Sequence, residues 1–124
     1  MSGQKKVLVV DDEEDMQKLV KIRLEQEGFV VITASDGEKG IKAAELEMPD
    51  LIIMDIMMPN MDGYSCLKEV RKIQKIKDTP VLMLSGKEEE KIRDLFAFQK
   101  ISGYMEKPFE LDNLVAKIKE ILKM

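Results

Sequence analysis

The stretch Leu51–Gly63 reads LIIMDIMMPNMDG and decides the fold. Its first half is a continuous apolar run that ends in one aspartate, Asp55, and its second half contains the turn residues Pro59, Asn60 and Gly63. A short apolar run bounded by such residues predicts a strand that is buried on both faces, and such strands belong to parallel sheets covered by helices. Ligands bind at the carboxyl edge of these sheets. Asp55 is therefore a candidate site residue, and a cap or turn aspartate is the alternative that this stretch leaves open.

Composition predicts a soluble globular protein. The chain has 124 residues, of which 44% are hydrophobic and 35% are charged, so we expect one domain over 1–124. No apolar run is long enough to cross a bilayer, and the N-terminus lacks the core of a signal peptide, which predicts a cytoplasmic protein. The net charge of −4 argues against direct nucleic-acid binding.

The absence of histidine excludes several kinds of chemistry. With no histidine in the sequence, Ser-His-Asp and Cys-His catalysis, the usual zinc sites and a phosphohistidine carrier role all fall away. The single cysteine, Cys66, permits no internal disulfide. It lies among apolar helix positions, so a buried thiol is favoured over a reactive one.

Strands and helices alternate about five times along the chain. Apolar runs predict strands over 6–10, 29–34, 51–55, 81–84 and 103–106. Helical periodicity predicts helices over 13–27, from the turn at 35–37 to Pro49, over 63–75, over 88–99 and in a last segment after 108. The stripes expected to face the core are Met16, Leu19, Val20 and Leu24 in the first helix and Leu111, Leu114, Val115, Ile118, Ile121 and Leu122 in the last. The pattern predicts an α/β fold with a doubly wound five-stranded parallel sheet of order 2-1-3-4-5, a flavodoxin-like (βα)5 three-layer sandwich.

Polar side chains follow four of the predicted strands. Asp11 and Asp12 end the first strand, Asp55 the third, Ser85 the fourth and Lys107 the fifth. In a sheet of this order the first and third strands flank the switch point, so three carboxylates converge there and need a cation. Lys107 is one candidate, and Mg²⁺, with Mn²⁺ as a substitute, is the other. Such a site fits a phosphoryl group, with one carboxylate as nucleophile and a serine hydroxyl and a backbone N–H as donors.

These residues and motifs resemble the receiver domains of two-component response regulators, of the chemotaxis-regulator type. The resemblance covers essentially the whole chain. The matching positions are the acidic pair Asp11 and Asp12, the phosphoacceptor Asp55 within Met54–Gly63, the switch hydroxyl Ser85, the lysine Lys107 within Lys107–Phe109 and the switch aromatic Tyr104. The resemblance also implies a cis peptide bond before Pro108.

In function, the resemblance implies a signalling switch. A histidine kinase, a phosphotransfer protein or a small phosphodonor phosphorylates Asp55 in a Mg²⁺-dependent reaction. The implied metal ligands are Asp12, Asp55 and the Met57 carbonyl, with Asp11 acting largely through water. Ser85, the Gly86 backbone N–H and Lys107 bind the phosphoryl group. Ser85 then moves, Tyr104 rotates inward, and the surface of the fourth helix, fifth strand and fifth helix presents a changed face to a protein target or output domain.

Several positions depart from the family pattern. Gly86 stands where the family usually has alanine, and Lys100 stands where a glycine normally ends the fourth helix, so either that turn is rebuilt or Lys100 is strained. Met57 and Lys87 flank the path of the attacking water. Phe98 is interpreted as a partly buried rim residue, with an exposed anchor on the output face as the alternative.

Two other classes of protein are alternatives to a phosphorylated receiver domain. A phosphatase of the haloacid-dehalogenase type needs a second aspartate two residues after the nucleophile, and that position here is Met57. We therefore expect no turnover enzyme, only self-directed phosphorylation and dephosphorylation. The alternative is a receiver-like interaction module that works without phosphorylation. No output domain follows Met124, so a stand-alone regulator and a piece of a longer one both remain open, as do a monomer and a phosphorylation-dependent dimer.

Overall fold

A five-stranded parallel sheet forms the centre of the fold. Its strands are β1 (Lys6–Val10), β2 (Val30–Ala34), β3 (Leu51–Asp55), β4 (Val81–Ser85) and β5 (Gly103–Glu106). They lie in the order β2-β1-β3-β4-β5, and every neighbouring pair is parallel. The predicted doubly wound topology is confirmed. β3 and β4 are buried along their whole length, which explains why they read as unbroken apolar runs.

The computed structural model describes residues 3–86 and 100–124. Four helices lie in this part of the chain: α1 (Glu14–Gln26), α2 (Gly37–Glu47), α3 (Gly63–Lys72) and a C-terminal helix (Leu111–Leu122). The predicted helix over 88–99, with Lys87, Phe98 and the turn before Lys100, lies outside the described residues.

Two apolar clusters fill the space between the sheet and its helices. One joins alternate strand residues to Ala44 of α2 and to Leu67 and Val70 of α3. The other joins the remaining strand residues to Leu24 of α1 and Ile118 of the C-terminal helix. The sheet is therefore covered on both faces. Polar groups lie along its two edges, by which we mean the amino edge, where the strands begin, and the carboxyl edge, where they end.

Local boundaries differ from the sequence prediction in three places. β2 begins at Val30 rather than at Phe29, which is buried before the strand starts. α3 ends at Lys72 instead of 75, since Ile73 is already extended and the following turn buries Ile76 in the core. Leu19 is 56% exposed and was wrongly placed in the core stripe, because it lies about 100° from its buried neighbour on a helix.

Other sequence-based interpretations are confirmed. The C-terminal helix buries Leu114, Val115 and Ile118 and packs the rest of its apolar stripe against the same cluster. Cys66 is fully buried, its Sγ lies 3.6 Å from the Gly37 carbonyl oxygen, and burial raises the pKa of its thiol to about 12. Within residues 3–86 and 100–124, no helix has the length and apolar character needed to span a bilayer.

Candidate functional site

The carboxyl ends of β1, β3, β4 and β5 bring the predicted polar residues to one edge of the sheet. Asp55 pairs in register with Leu84, so it lies one residue before the level of Ser85. Beyond the strands, the Asp11 amide donates to the Ala34 carbonyl at 3.1 Å, and the Lys107 amide donates to the Ser85 carbonyl at 2.6 Å. The backbone ladder therefore continues past the strand ends and fixes the site residues through main-chain bonds.

Three carboxylates form the acidic part of the site. Asp11, Asp12 and Asp55 each offer one oxygen, and these oxygens all lie within 4.8 Å of one another. Asp11 and Asp55 are buried, whereas Asp12 is exposed. An all-oxygen set with one side open to water is the donor chemistry that Mg²⁺ prefers, because this ion keeps much of its hydration.

Lys107 supplies the positive charge at the site. Its Nζ lies 3.1 Å from Asp11 Oδ2, 3.3 Å from Asp55 Oδ2 and 3.4 Å from Glu13 Oε1. The lysine side chain is only 15% exposed, so its contacts with the two buried aspartates are less screened by water than a surface ion pair. The predicted role of Lys107 as a counter-charge thus has a direct geometric basis.

Negative charge exceeds positive charge at the site. Burial raises the pKa of Asp55, and repulsion from Asp11 adds to this effect, while Lys107 opposes it. Burial alone would lower the pKa of Lys107, but attraction to Asp55 and Asp11 outweighs it and the pKa is raised. The lysine therefore stays protonated, and the surrounding carboxylates keep an excess of negative charge that a cation can relieve.

Asp55 is held in place from both sides. Its Oδ1 accepts a hydrogen bond from the Met57 amide at 3.2 Å, and its Oδ2 faces Lys107.

The loop after β3 then returns to start α3 at Gly63, whose amide donates to the Ile56 carbonyl at 2.8 Å. A Cβ at Gly63 would lie 2.6 Å from the Asp55 carbonyl oxygen, so glycine is required here by close packing. Asp62 starts the helix by accepting a hydrogen bond from the Ser65 amide.

The predicted phosphoryl-binding and switch residues lie on β4 and β5 or directly after them. Ser85 is buried at the end of β4, and Gly86 is exposed directly after it. The Lys107–Pro108 peptide bond is cis. Tyr104 packs against the α2–α3 side of the core, and its hydroxyl is buried without a hydrogen-bond partner among the described residues.

The comparison with known protein families agrees with this geometry. Residues 7–119 match the response regulator receiver domain. This chain belongs to the response regulator receiver family. It is therefore a receiver domain of two-component signalling.

Relatives and solved structures of this family resemble the receiver domain closely. It is 46% identical over 119 residues to the alkaline phosphatase synthesis transcriptional regulatory protein PhoP of Bacillus subtilis, which covers 96% of this chain and 49% of the relative. It is 34% identical to the DNA-binding dual master transcriptional regulator RpaA of Synechocystis, with 95% and 49% covered. The chain spans about half the length of these curated relatives. The structure of chemotaxis protein CheY4 of Vibrio cholerae superposes with a TM-score of 0.91 at 31% identity, covering 96% of this chain and 99% of that one.

Receiver domains generally bind Mg²⁺ through a cluster of acidic residues, which here are Asp11, Asp12 and Asp55. The donor chemistry of this cluster fits the ion, as its three carboxylates are hard oxygen ligands that converge beside one exposed position.

Two further residues of the site were missed by sequence reasoning. Glu13 was assigned only to the start of the first helix, yet its side chain reaches Lys107. The Gln17 side-chain amide donates to the Asp11 carbonyl, and to the Ala34 carbonyl at 3.2 Å, so it ties α1 to the ends of β1 and β2. The position of Glu13 directly after the acidic pair was a signal in the sequence. For Gln17 there was none beyond its place in the first helix.

Proposed function

We propose that this receiver domain accepts a phosphoryl group on Asp55 and passes the signal to a protein partner. The observation that carries the proposal is the arrangement around Asp55: a nearly buried carboxylate, 4% exposed, facing Lys107 and grouped with Asp11 and Asp12. A nucleophile, a fixed cation and a metal-binding set in one place meet the needs of phosphoryl transfer, which depends mainly on positioning and charge stabilisation.

The chemistry assigned to Asp55 is nucleophilic. A carboxylate oxygen attacks the phosphorus atom of a phosphohistidine or of a small acyl phosphate, a new P–O bond forms, and the donor's P–N or P–O bond breaks. The leaving imidazole keeps the electron pair and takes a proton, whereas acetate leaves as the anion. When bound at the acidic cluster, Mg²⁺ supplies neutralisation of the negative charge on the transferred phosphoryl oxygens.

Other residues of this chain hold the phosphoryl group. Lys107 Nζ lies 3.3 Å from Asp55 Oδ2, which is close enough for the ammonium group to bind an oxygen of a phosphoryl group added to Asp55. The Ser85 hydroxyl and the Gly86 amide lie at the end of the neighbouring strand and are assigned as donors. The Met57 amide keeps Asp55 oriented, and the Met57 carbonyl is assigned to the metal.

The switch is proposed to act through Ser85 and Tyr104. Because the Tyr104 hydroxyl is already buried, phosphorylation should increase the population of an inward state rather than create it. The phosphodonor is a histidine kinase or phosphotransfer protein. The target is a protein surface or an output domain that reads the face around β5 and the C-terminal helix.

Intact mass spectrometry tests the phosphorylation directly. The protein is incubated with acetyl phosphate, with and without Mg²⁺, and the wild type is compared with Asp55→Asn. We expect a phosphate-sized adduct that requires both Mg²⁺ and Asp55. Asp78→Asn is the matched control, since Asp78 is exposed and lies in the loop before β4, at the opposite edge of the sheet.

The outcomes separate the two functional classes. An adduct that is absent from the wild type, or equal in Asp55→Asn, would contradict the proposal and leave a phosphorylation-independent interaction module. For the switch, amide hydrogen exchange with and without beryllofluoride should change at Tyr104 and along the C-terminal helix. Identical protection in both samples would rule out a transmitted change.

A further inference from the structure

The N-cap residue of α1 brings a fourth carboxylate to the candidate site. Glu13 is the N-cap of α1, but its side chain makes no capping hydrogen bond. It reaches instead to Lys107, with 3.4 Å between Oε1 and Nζ. The two residues are 94 positions apart in the sequence, so this contact is made by the fold and not by local structure.

Three anions therefore share one ammonium group. Asp11 and Asp55 hold Lys107 from inside the site, where their side chains are 1% and 5% exposed. Glu13 holds it from the solvent side and is 62% exposed. A lysine has three N–H donors on a flexible stem, so it can bind all three carboxylates at once or exchange one for another.

The backbone fixes the place of Glu13 without using its side chain. The Glu13 amide donates to Asp11 Oδ1 at 2.9 Å, and the Glu13 carbonyl accepts from the Gln17 amide at 3.1 Å. Glutamate is a poor N-cap residue compared with serine, threonine, aspartate or asparagine. Its side chain is therefore unnecessary for starting the helix, and its contact with Lys107 is the interaction left to explain.

We propose that Glu13 is a positioning residue that restrains Lys107 at the mouth of the site and releases it when a phosphoryl group arrives on Asp55. An incoming dianion competes with Glu13 for the ammonium group and is repelled by its charge. Glu13 thereby slows phosphorylation by small anionic donors. This inference rests on the function proposed above for Asp55 and Lys107.

Two substitutions separate positioning from charge. Glu13→Gln removes the negative charge and keeps the length of the side chain. Glu13→Asp keeps the charge, but its side chain is one methylene shorter and cannot maintain the 3.4 Å contact in the present backbone. Glu14→Gln is the matched control, because Glu14 is exposed, lies next in the chain and has no ion pair to Lys107 among the described contacts.

The first measurement needs neither metal nor phosphodonor. In protein labelled with ¹³C at the lysine Cε, the Lys107 signal should shift in Glu13→Gln and in Glu13→Asp, and stay in place in Glu14→Gln. An unshifted Lys107 signal in Glu13→Gln means that the contact does not hold the lysine in solution, and the proposal is then wrong. This result stands whether or not Asp55 accepts a phosphoryl group.

The second measurement is the rate of phosphorylation by acetyl phosphate at saturating Mg²⁺. We expect both Glu13 variants to react about two- to five-fold faster than the wild type, because both lose one restraint on Lys107 and the glutamine variant also loses one nearby negative charge. Glu14→Gln should stay within about 1.5-fold of the wild type, as befits a screened surface charge.

The pattern of rates then decides the case. A faster Glu13→Gln with an unchanged Glu13→Asp would show that charge alone acts, and the positioning role would be rejected. Equal acceleration by Glu14→Gln would reduce the effect to general electrostatics and reject it as well. If the wild type forms no Mg²⁺-dependent adduct, the function proposed for Asp55 fails, while the lysine signal still reports on the Glu13–Lys107 contact by itself.

Discussion

At the two edges of the sheet, the half-buried cations Lys107 and Arg71 meet different kinds of partner. At the carboxyl edge, Lys107 faces three carboxylates. At the opposite edge, Arg71 faces neutral backbone carbonyls: those of Lys77 at 3.0 Å, Thr79 at 2.8 Å and Lys100 at 2.7 Å. The first arrangement leaves an excess of negative charge, and the second joins three chain segments without one.

The partners of the two cations suggest how a structural cation differs from one proposed to take part in phosphoryl transfer. The guanidinium group of Arg71 is a rigid fork that bridges the end of α3, the segment before β4 and the segment before β5. Burial lowers the pKa of Arg71, although Asp78 opposes this effect. The pKa of Lys107 is raised because charged partners outweigh burial. A lysine amid excess carboxylates can change partners, whereas an arginine bound to backbone oxygens fixes the chain.

The largest expected effect tests how tightly the carboxyl edge is packed. In Gly63→Ala, the new Cβ would meet the Asp55 carbonyl oxygen at 2.6 Å and the Ile56 Cα at 2.8 Å, and neither backbone atom can move cheaply. We expect a loss of about 3 kcal/mol in the free energy of unfolding, measured by urea denaturation. Gly37→Ala is the comparison, and its loss should be smaller, since the three nearest atoms to a Cβ there all belong to the Met61 side chain and lie at 3.0 Å, rather than to backbone at 2.6–2.8 Å. Equal losses in the two variants would contradict the packing argument.

The second prediction tests the functional cation. Lys107→Ala should lower the rate of phosphorylation by acetyl phosphate by about 10- to 100-fold, the value of one charge-assisted hydrogen bond of about 1.5–3 kcal/mol. Arg71→Ala, measured in the same assay at a temperature where it is folded, should stay within about twofold of the wild type, because Arg71 lies at the other edge of the sheet. The contrast between the edges breaks down if the arginine variant is as slow as the lysine variant.

The third prediction tests the structural cation. Arg71→Ala leaves three carbonyls to water and should reduce the free energy of unfolding by about 2 kcal/mol. Arg71→Lys should recover part of this loss, since an ammonium group cannot span three separated oxygens as the fork does. Lys72→Ala, at the exposed neighbouring position, should change stability by less than about 0.5 kcal/mol. Urea unfolding of the three variants checks the order, and a full rescue by lysine would argue against the fork geometry.

The smallest effect concerns Gly86, the second notable glycine of the carboxyl edge. A Cβ at Gly86 meets no atom of the described chain within 4 Å, and the residue does not have a positive φ in the left-handed range. Gly86→Ala should therefore stabilise the protein by about 0.4–1 kcal/mol, because alanine restricts the unfolded chain. A destabilised variant in urea unfolding would show that this loop needs the freedom of glycine. The comparison with Gly63 then separates the packed part of the edge from its open part.

Most of the fold could be predicted from the sequence because apolar runs, turn residues and helical stripes are local signals. β3 could be read from its apolar run and the turn residues after it, and the C-terminal helix from its unbroken stripe. Residues at strand ends could be placed at one edge because parallel strands finish on the same side of a sheet. The end of α3 was misplaced because the turn after it buries Ile76 in the core, whereas Leu19 was misplaced because it lies off the buried stripe by helical geometry.

The residues of the candidate site could be predicted from the sequence for the same reason, but their contacts could not. Asp55 and Lys107 follow directly from the alternation of strands and helices. Three contacts depend on distances between elements that are far apart in the chain. They are the contact of Glu13 with Lys107, the hydrogen bonds from Gln17 to two strand ends, and the hydrogen bonds from Arg71 to three carbonyls. No periodicity encodes such distances, and they follow only from how helices pack on the twisted sheet.

The sequence by itself therefore determined the order of strands and helices, the strand-end positions of the acidic pair, Asp55, Ser85 and Lys107, and the kind of chemistry that those side chains permit. Only the tertiary structure decided which oxygens share the lysine, that Asp12 faces water while Asp11 and Asp55 are buried, and that the Tyr104 hydroxyl is buried. The physical reason is that hydrophobic patterning is read along the chain, whereas charge interactions depend on separation and desolvation in space.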